Sequence, residues 1–173
     1  MHLSELCRMS GKCDRQMVEL DEELDLLDAY MELMCYRYPS LHCEYNIDPD
    51  LGGVQVPNFI LQPLVENSLL HGLKNKGYKG AVVISAQKSG EDMLVTIMDT
   101  GSGFAEGKKE QVNSLLTNYA KQAAKLEGSS IWIRIVQKRI KLLCVQKYGL
   151  WYAENEKGGV TAHLLLPCKE AGK

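Results

Sequence analysis

Long hydrophobic runs are missing from this chain. No stretch approaches the roughly 20 apolar residues that a membrane-spanning helix needs, so no transmembrane segment is expected. A surplus of positive charge is missing too. Twenty Lys and Arg stand against 22 Asp and Glu, a formal net charge of -2. That balance leaves no footprint for a nucleic-acid backbone, so neither DNA nor RNA is expected as a partner. The six cysteines (Cys7, Cys13, Cys35, Cys43, Cys144, Cys168) include no C-x-x-C pair and no Cys/His cluster at zinc spacing. They read as scattered reduced thiols of a protein in a reducing compartment. Met1 is followed directly by polar and charged residues, so no secretory leader is expected. Repeats and low-complexity tracts are lacking. What is present is an ordinary globular composition, 45% hydrophobic and 24% charged over 173 residues. That is enough to bury one core.

The hydrophobic spacing sets the element order. Residues 3–10 read as the last turns of a helix ending at Gly11, and Asp14 to Val18 as a polar linker. Leu24, Leu27, Met31, Met34 and Tyr38 then follow three-and-four steps along one helix face, stopped by Pro39. His42 to Ile47 alternates as a strand does. A second helical run spans Asn58 to Leu73, and Ala81 to Gln87 with Met93 to Asp99 reads as a hairpin. A polar excursion from Ala105 to Gly128 carries a weak apolar stripe. A third helix is expected over Ile131 to Tyr148, and strands over Leu150 to Asn155 and Val160 to Leu166. Hairpins joined by helices predict an α+β fold: a two-layer sandwich with a mixed β-sheet and helices on one face.

Three features carry chemistry. In Leu64-Val65-Glu66-Asn67-Ser68-Leu69-Leu70-His71-Gly72, an apolar helix carries Glu66, Asn67 and His71. Asn67 and His71, four apart, share a side. Burying such groups unpaired is costly, so they either face water or serve a ligand. In Asp99-Thr100-Gly101-Ser102-Gly103-Phe104, an aspartate at a strand end can accept from a ligand amine, and glycines admit close backbone approach. Alone, this is as readily a simple turn. The third feature is the excursion followed by Gly128 and a helix whose N-terminus suits phosphate.

Taken together, these blocks resemble the ATP-binding fold shared by histidine kinases, Hsp90 chaperones, type II topoisomerases and mismatch-repair ATPases, the Bergerat-type fold. They resemble most of all the catalytic domain of LytS/YesM-type sensor histidine kinases. That family's L-Q-P-L-V-E-N-x-x-x-H-G run is matched by Leu61 to Gly72, LQPLVENSLLHG. Its L-S-x-L-x-R segment is matched at Leu3 to Arg8, and its E-L…Y…R-(Y/F) segment at Glu23-Leu24, Tyr30 and Arg37-Tyr38. D-x-G-x-G falls at Asp99 to Gly103 and G-x-T…P at Gly159 to Pro167. The resemblance covers nearly the whole chain.

It implies roles residue by residue. Asn67 would hold the Mg2+ that bridges the ATP phosphates, and Glu66 would accept or relay a proton at catalysis. His71 would face the phosphates. Asp99 would bind the adenine amine, with Gly101 and Gly103 giving the base room. Gly128 and Ser130 would lie beside the phosphates, and residues 105–128 would form a lid. Residues 1–18 would be the tail of a dimerisation helix plus linker, and 19–173 the catalytic domain. The implied partners are ATP, the kinase's own dimerisation domain with its phosphoacceptor histidine (expected upstream of Leu3), and a response regulator. The fragment itself is expected to be cytoplasmic, without membrane contact, under a membrane-anchored parent.

One segment departs from the pattern. Where the family has G-x-G-L-x-N-V, this chain has Ser130-Ile131-Trp132-Ile133-Arg134-Ile135-Val136. A tryptophan where backbone should meet phosphate motivates the alternative of a degenerate signalling module with weak or no nucleotide binding. A chaperone- or topoisomerase-type ATPase is the third reading, disfavoured by the kinase form of Leu61 to Gly72.

Overall fold

A computed structural model describes residues 15–118 and 130–169. In chain order the elements are β1 (Met17–Glu19), α1 (Leu20–Arg37), β2 (Leu41–Ile47), β3 (Gln55–Pro57), α2 (Gln62–Asn67) running into a π-helical turn (Ser68–Leu73), β4 (Gly80–Ser89), β5 (Asp92–Asp99), α3 (Lys108–Thr117), α4 (Ser130–Leu143), β6 (Gly149–Glu154) and β7 (Val160–Pro167). Five strands form one sheet in the order β2-β4-β5-β7-β6. The β2–β4 pair is parallel and the others antiparallel, so the sheet is mixed as expected. Along β5, Met93, Val95, Ile97 and Asp99 are buried while the alternate residues are only partly covered. One face therefore meets the helices and the other stays open.

The core lies between that face and the helices. Leu27 and Met31 of α1, Leu64 and Val65 of α2, and Ile133, Val136 and Ile140 of α4 pack with Ile84, Val95, Ile97 and Leu164 of the sheet. Burying each such side chain contributes roughly 1.5–3 kcal/mol. A buried Gln137 fastens α4 to its neighbours. It donates to the Leu116 carbonyl of α3 at 3.2 Å and accepts from Leu150 N–H at 2.8 Å.

Three expectations about boundaries need correction. Met17 and Val18, read as linker, form β1 and pair with Pro57 and Val56 of β3. Val18 is buried, so the folded unit begins before residue 19. The second helix does not begin at Asn58. The carboxylate of Glu23 accepts the N–H groups of Phe59 (2.6 Å), Ile60 (3.0 Å) and Leu61 (3.1 Å), which holds that stretch as a strap. Helix begins only at Gln62, with Pro63 in its first turn, where the missing N–H costs nothing. The third helix ends at Leu143, not Tyr148, because the chain turns there into the edge strand β6. The helix ending at Gly11 lies outside the described residues.

Candidate functional site

Asp99 is the last residue of β5, on the sheet face that meets the helices, and only 1% of it is exposed. Its Oδ1 accepts the N–H of Gly101 at 2.8 Å and of Val160 at 3.2 Å. Burial pushes its carboxyl above the usual carboxylate range. Those two N–H groups, the Ser68 hydroxyl and the Lys76 charge act in the opposite sense. Glycines clear the space around it. A Cβ at Gly72 would stand 2.7 Å from Asp99 Oδ1, and one at Gly159 would stand 2.1 Å from the Asp99 carbonyl oxygen. A Cβ at Gly101 would fall 2.5 Å from the Gly72 backbone. Real side chains do not approach so closely, so these positions are glycine because the helix, the strand end and the following turn touch there.

The helix block and the D-x-G-x-G block are thereby joined. Ser102 N–H donates to the Gly72 carbonyl at 3.1 Å. Lys76 Nζ donates to the Thr100 carbonyl at 2.7 Å. Gly103 takes φ +72, a left-handed conformation that suits glycine, with its Cβ position 2.8 Å from the Gly158 carbonyl.

On the helix, Gln62 Nε2 donates to Glu66 Oε1 at 2.9 Å, one turn away, and so fixes the carboxylate's orientation. Asn67 Oδ1 is buried and has no hydrogen-bond partner. At Ser68 the helix widens to π form, a feature frequent at functional sites. His71 lies in this π-helical turn. Burial holds its imidazole below the ordinary histidine value, helped by Lys108 of α3 and Lys74. Lys74 and Lys108 thus act on His71 within one field of positive charge, which suits an anionic group.

Several residues of the site were not foreseen. Asn155 Nδ2 donates to the Asp99 carbonyl at 2.9 Å, and its Oδ1 accepts Gly159 N–H at 3.1 Å, so the β6–β7 turn is tied to β5. Ser68, Lys76 and Gly159 serve Asp99 as described above. Only Gly159 and its neighbours in the closing G-x-T block gave a sequence signal. Of the remaining expected site residues, Gly128 lies outside the described residues. Ser130 opens α4, and Trp132 on the first turn of that helix is 49% exposed. Further along α4, the guanidinium of Arg139 donates to the Asn58 carbonyl, beside the strap.

The structure thus brings a buried carboxylate at a strand end against a helix that carries an unpartnered amide oxygen. Residues 57–170 match the family described as Histidine kinase-, DNA gyrase B-, and HSP90-like ATPase. The chain belongs to that ATPase family. Its relatives include the sensor protein LytS of Oceanobacillus iheyensis, 28% identical over 100% of this chain and 29% of that protein. The sensor histidine kinase BtsS of Escherichia coli K12 is 33% identical over 98% of this chain and 27% of that protein. The chain therefore spans under a third of the length of these relatives. Among solved structures, the catalytic domain of histidine kinase ThkA superposes with a TM-score of 0.67 at 17% identity, covering 89% of this chain and 99% of that one. The structure of ThkA in complex with the response regulator TrrA gives 0.63 at 15% identity, covering 99% of this chain and 47% of that one. These likenesses show that the fold of this ATPase family member is that of histidine kinase catalytic domains.

Proposed function

We propose that this chain is the ATP-binding catalytic domain of a two-component sensor histidine kinase, which transfers the γ-phosphoryl group of ATP to a histidine in an upstream dimerisation segment. The observation that carries the reading is the pairing of a glycine-cleared, buried Asp99 with the unpartnered Asn67 Oδ1 on the adjoining helix. Asp99 accepts from the adenine amine. Asn67 Oδ1, buried without a partner, would hold Mg2+. When bound, Mg2+ neutralises charge that builds on the phosphates during transfer.

The side chains of this domain do the rest. His71, Lys74 and Lys108 draw the polyphosphate to the helix side. The acceptor imidazole attacks the γ-phosphorus, the bond to the β–γ bridging oxygen breaks, and ADP leaves. Glu66, oriented by Gln62, takes the proton released from the imidazole. A response regulator then accepts the phosphoryl group from the phosphohistidine. The domain works on the cytoplasmic side of a membrane-anchored parent, and no helix among the described residues is long and apolar enough to cross a membrane.

Calorimetric titration with ATP, with and without Mg2+, tests the reading. Micromolar affinity that needs Mg2+ and falls about 100-fold in Asn67→Ala is expected, the size of losing one charge-assisted ligand. A folded chain that binds no nucleotide would point instead to a signalling module that keeps the fold without the ligand.

A further inference from the structure

Tyr152 lies in the edge strand β6, opposite Ala162 of β7, with its side chain on the helix side of the sheet. Only 4% of it is exposed, and its hydroxyl has no hydrogen-bond partner. Among the described residues three buried side-chain polar atoms lack a partner: Asn67 Oδ1, Tyr152 Oη and Tyr45 Oη. Tyr45 is on β2, the opposite edge of the sheet. The other two lie on elements that meet at Asp99: Asn67 on the helix whose Gly72 abuts that carboxylate, and Tyr152 against Phe104 of the D-x-G-x-G block. Buried polar groups are nearly always satisfied, so an orphan in a binding site points to a group that arrives with the ligand.

The surroundings of Tyr152 fit that role. Its ring meets the edge of Phe104, the residue that closes the D-x-G-x-G block, with centroids 6.3 Å apart at 84°. Asp99 is the charged group that acts on it, and burial together with that charge holds the phenol protonated well beyond neutral pH. Its backbone is fixed from both sides by Asn113 of α3. Tyr152 N–H donates to Asn113 Oδ1 at 2.9 Å, and Asn113 Nδ2 donates to the Tyr152 carbonyl at 2.9 Å. The backbone of Tyr152 is therefore held against α3, while its hydroxyl is left as a buried donor without a partner.

We propose that Tyr152 is a base-recognition residue: its hydroxyl donates, directly or through one water, to the ring nitrogen beside the amine that Asp99 accepts from. The inference rests on the nucleotide reading above. Asp99 and Tyr152 then present an acceptor and a donor side by side. Adenine offers the matching donor and acceptor on its N6 and N1 edge. Guanine offers a carbonyl where adenine has its amine, and that carbonyl would meet the Asp99 carboxylate acceptor to acceptor, so the acceptor selects adenine nucleotides and the Tyr152 hydroxyl adds affinity for them. Rejecting an isostere through buried polar groups left unpaired is the strong form of selectivity.

Tyr152→Phe separates this role from packing, because it removes the hydroxyl alone. In the 173-residue chain, calorimetry should show ATP binding weakened about 10-fold, the worth of one hydrogen bond. GTP binding should be unchanged, so the ATP/GTP preference falls by the same factor. The melting temperature should hold or rise, since an unsatisfied buried group has gone. Unchanged ATP affinity in a wild type that does bind ATP overturns the inference and leaves the nucleotide reading standing. Weaker binding with a lower melting temperature overturns it as well, by assigning Tyr152 to packing. A wild type that binds neither nucleotide overturns both.

Discussion

Replacing Glu23 by alanine should cost the fold about 3–5 kcal/mol, although Glu23 lies on the first turn of a helix, where acids ordinarily face water. Its carboxylate is 3% exposed and accepts three backbone N–H groups of the strap before the site helix. Two of those belong to Ile60 and Leu61, which are fully buried. Each N–H left without a partner costs about 1–3 kcal/mol, and water entering the vacated space recovers part of it. The strap also holds Phe59 at φ 58, a left-handed conformation worth roughly 1 kcal/mol of strain that these bonds offset. Removing one member of a buried charged arrangement typically costs 3–5 kcal/mol, in line with this sum. Against a total stability of about 5–15 kcal/mol, that is a large fraction. Glu23→Gln keeps the shape and one acceptor but turns an NH2 against a strap N–H, and should cost about 1–2 kcal/mol. Urea denaturation followed by circular dichroism measures both. A Glu23→Ala unfolding free energy within about 1 kcal/mol of wild type refutes the assignment of the strap to Glu23.

The same side chain gives a pH dependence with a defined sign. Burial, the dominant influence, holds the Glu23 carboxyl above its ordinary value, while the strap N–H groups and Arg139 act in the opposite sense. A raised folded-state pKa means the native state binds that proton more tightly. Its contribution is fully present below the ordinary glutamate pKa and is lost as pH rises through the folded value. The stability gap between wild type and Glu23→Gln should therefore shift in favour of the variant from acid toward neutral pH. At Gly101, a Cβ would sit 2.5 Å from the Gly72 backbone, so Gly101→Ala should lower stability by about 1–3 kcal/mol and weaken nucleotide binding together. Thermal melts with and without ATP read both effects. His71 is held below its ordinary pKa by burial and by Lys108 and Lys74. Polyphosphate beside it would reverse that influence, so ATP binding near pH 6.5 should take up a fraction of a proton, on the order of the His titration. Calorimetry in buffers of different ionisation enthalpy detects it, and His71→Asn should abolish it.

The layer architecture was legible because periodicity is local. The alternation along β5 and the three-and-four spacing of Leu27 and Met31 each record one buried face. The strap was not legible. Residues 58–61 read as helix, and only the distant carboxylate of Glu23 makes them otherwise. The same holds for β1, whose strand character depends on β3, nearly 40 residues downstream. Glu66, Asn67 and His71 stood out as polar groups on an apolar helix, whereas Asp99, Gly101 and Gly103 read alone as a turn and drew notice through the family resemblance. Asn155, Ser68 and Lys76 did not, because each looks ordinary in its own segment and meets Asp99 only in the fold.

The sequence by itself determined the element types, the mixed sheet and the segments that make the site, since these depend on side-chain spacing and on residues whose burial needs a reason. Only in the fold is it settled which buried polar groups find partners within the chain and which do not. Gln62 and Glu66 are partners, while Asn67 Oδ1 and the Tyr152 hydroxyl are not. Whether a polar atom has a partner depends on contacts among elements far apart in the chain, and no local pattern of residues carries that information.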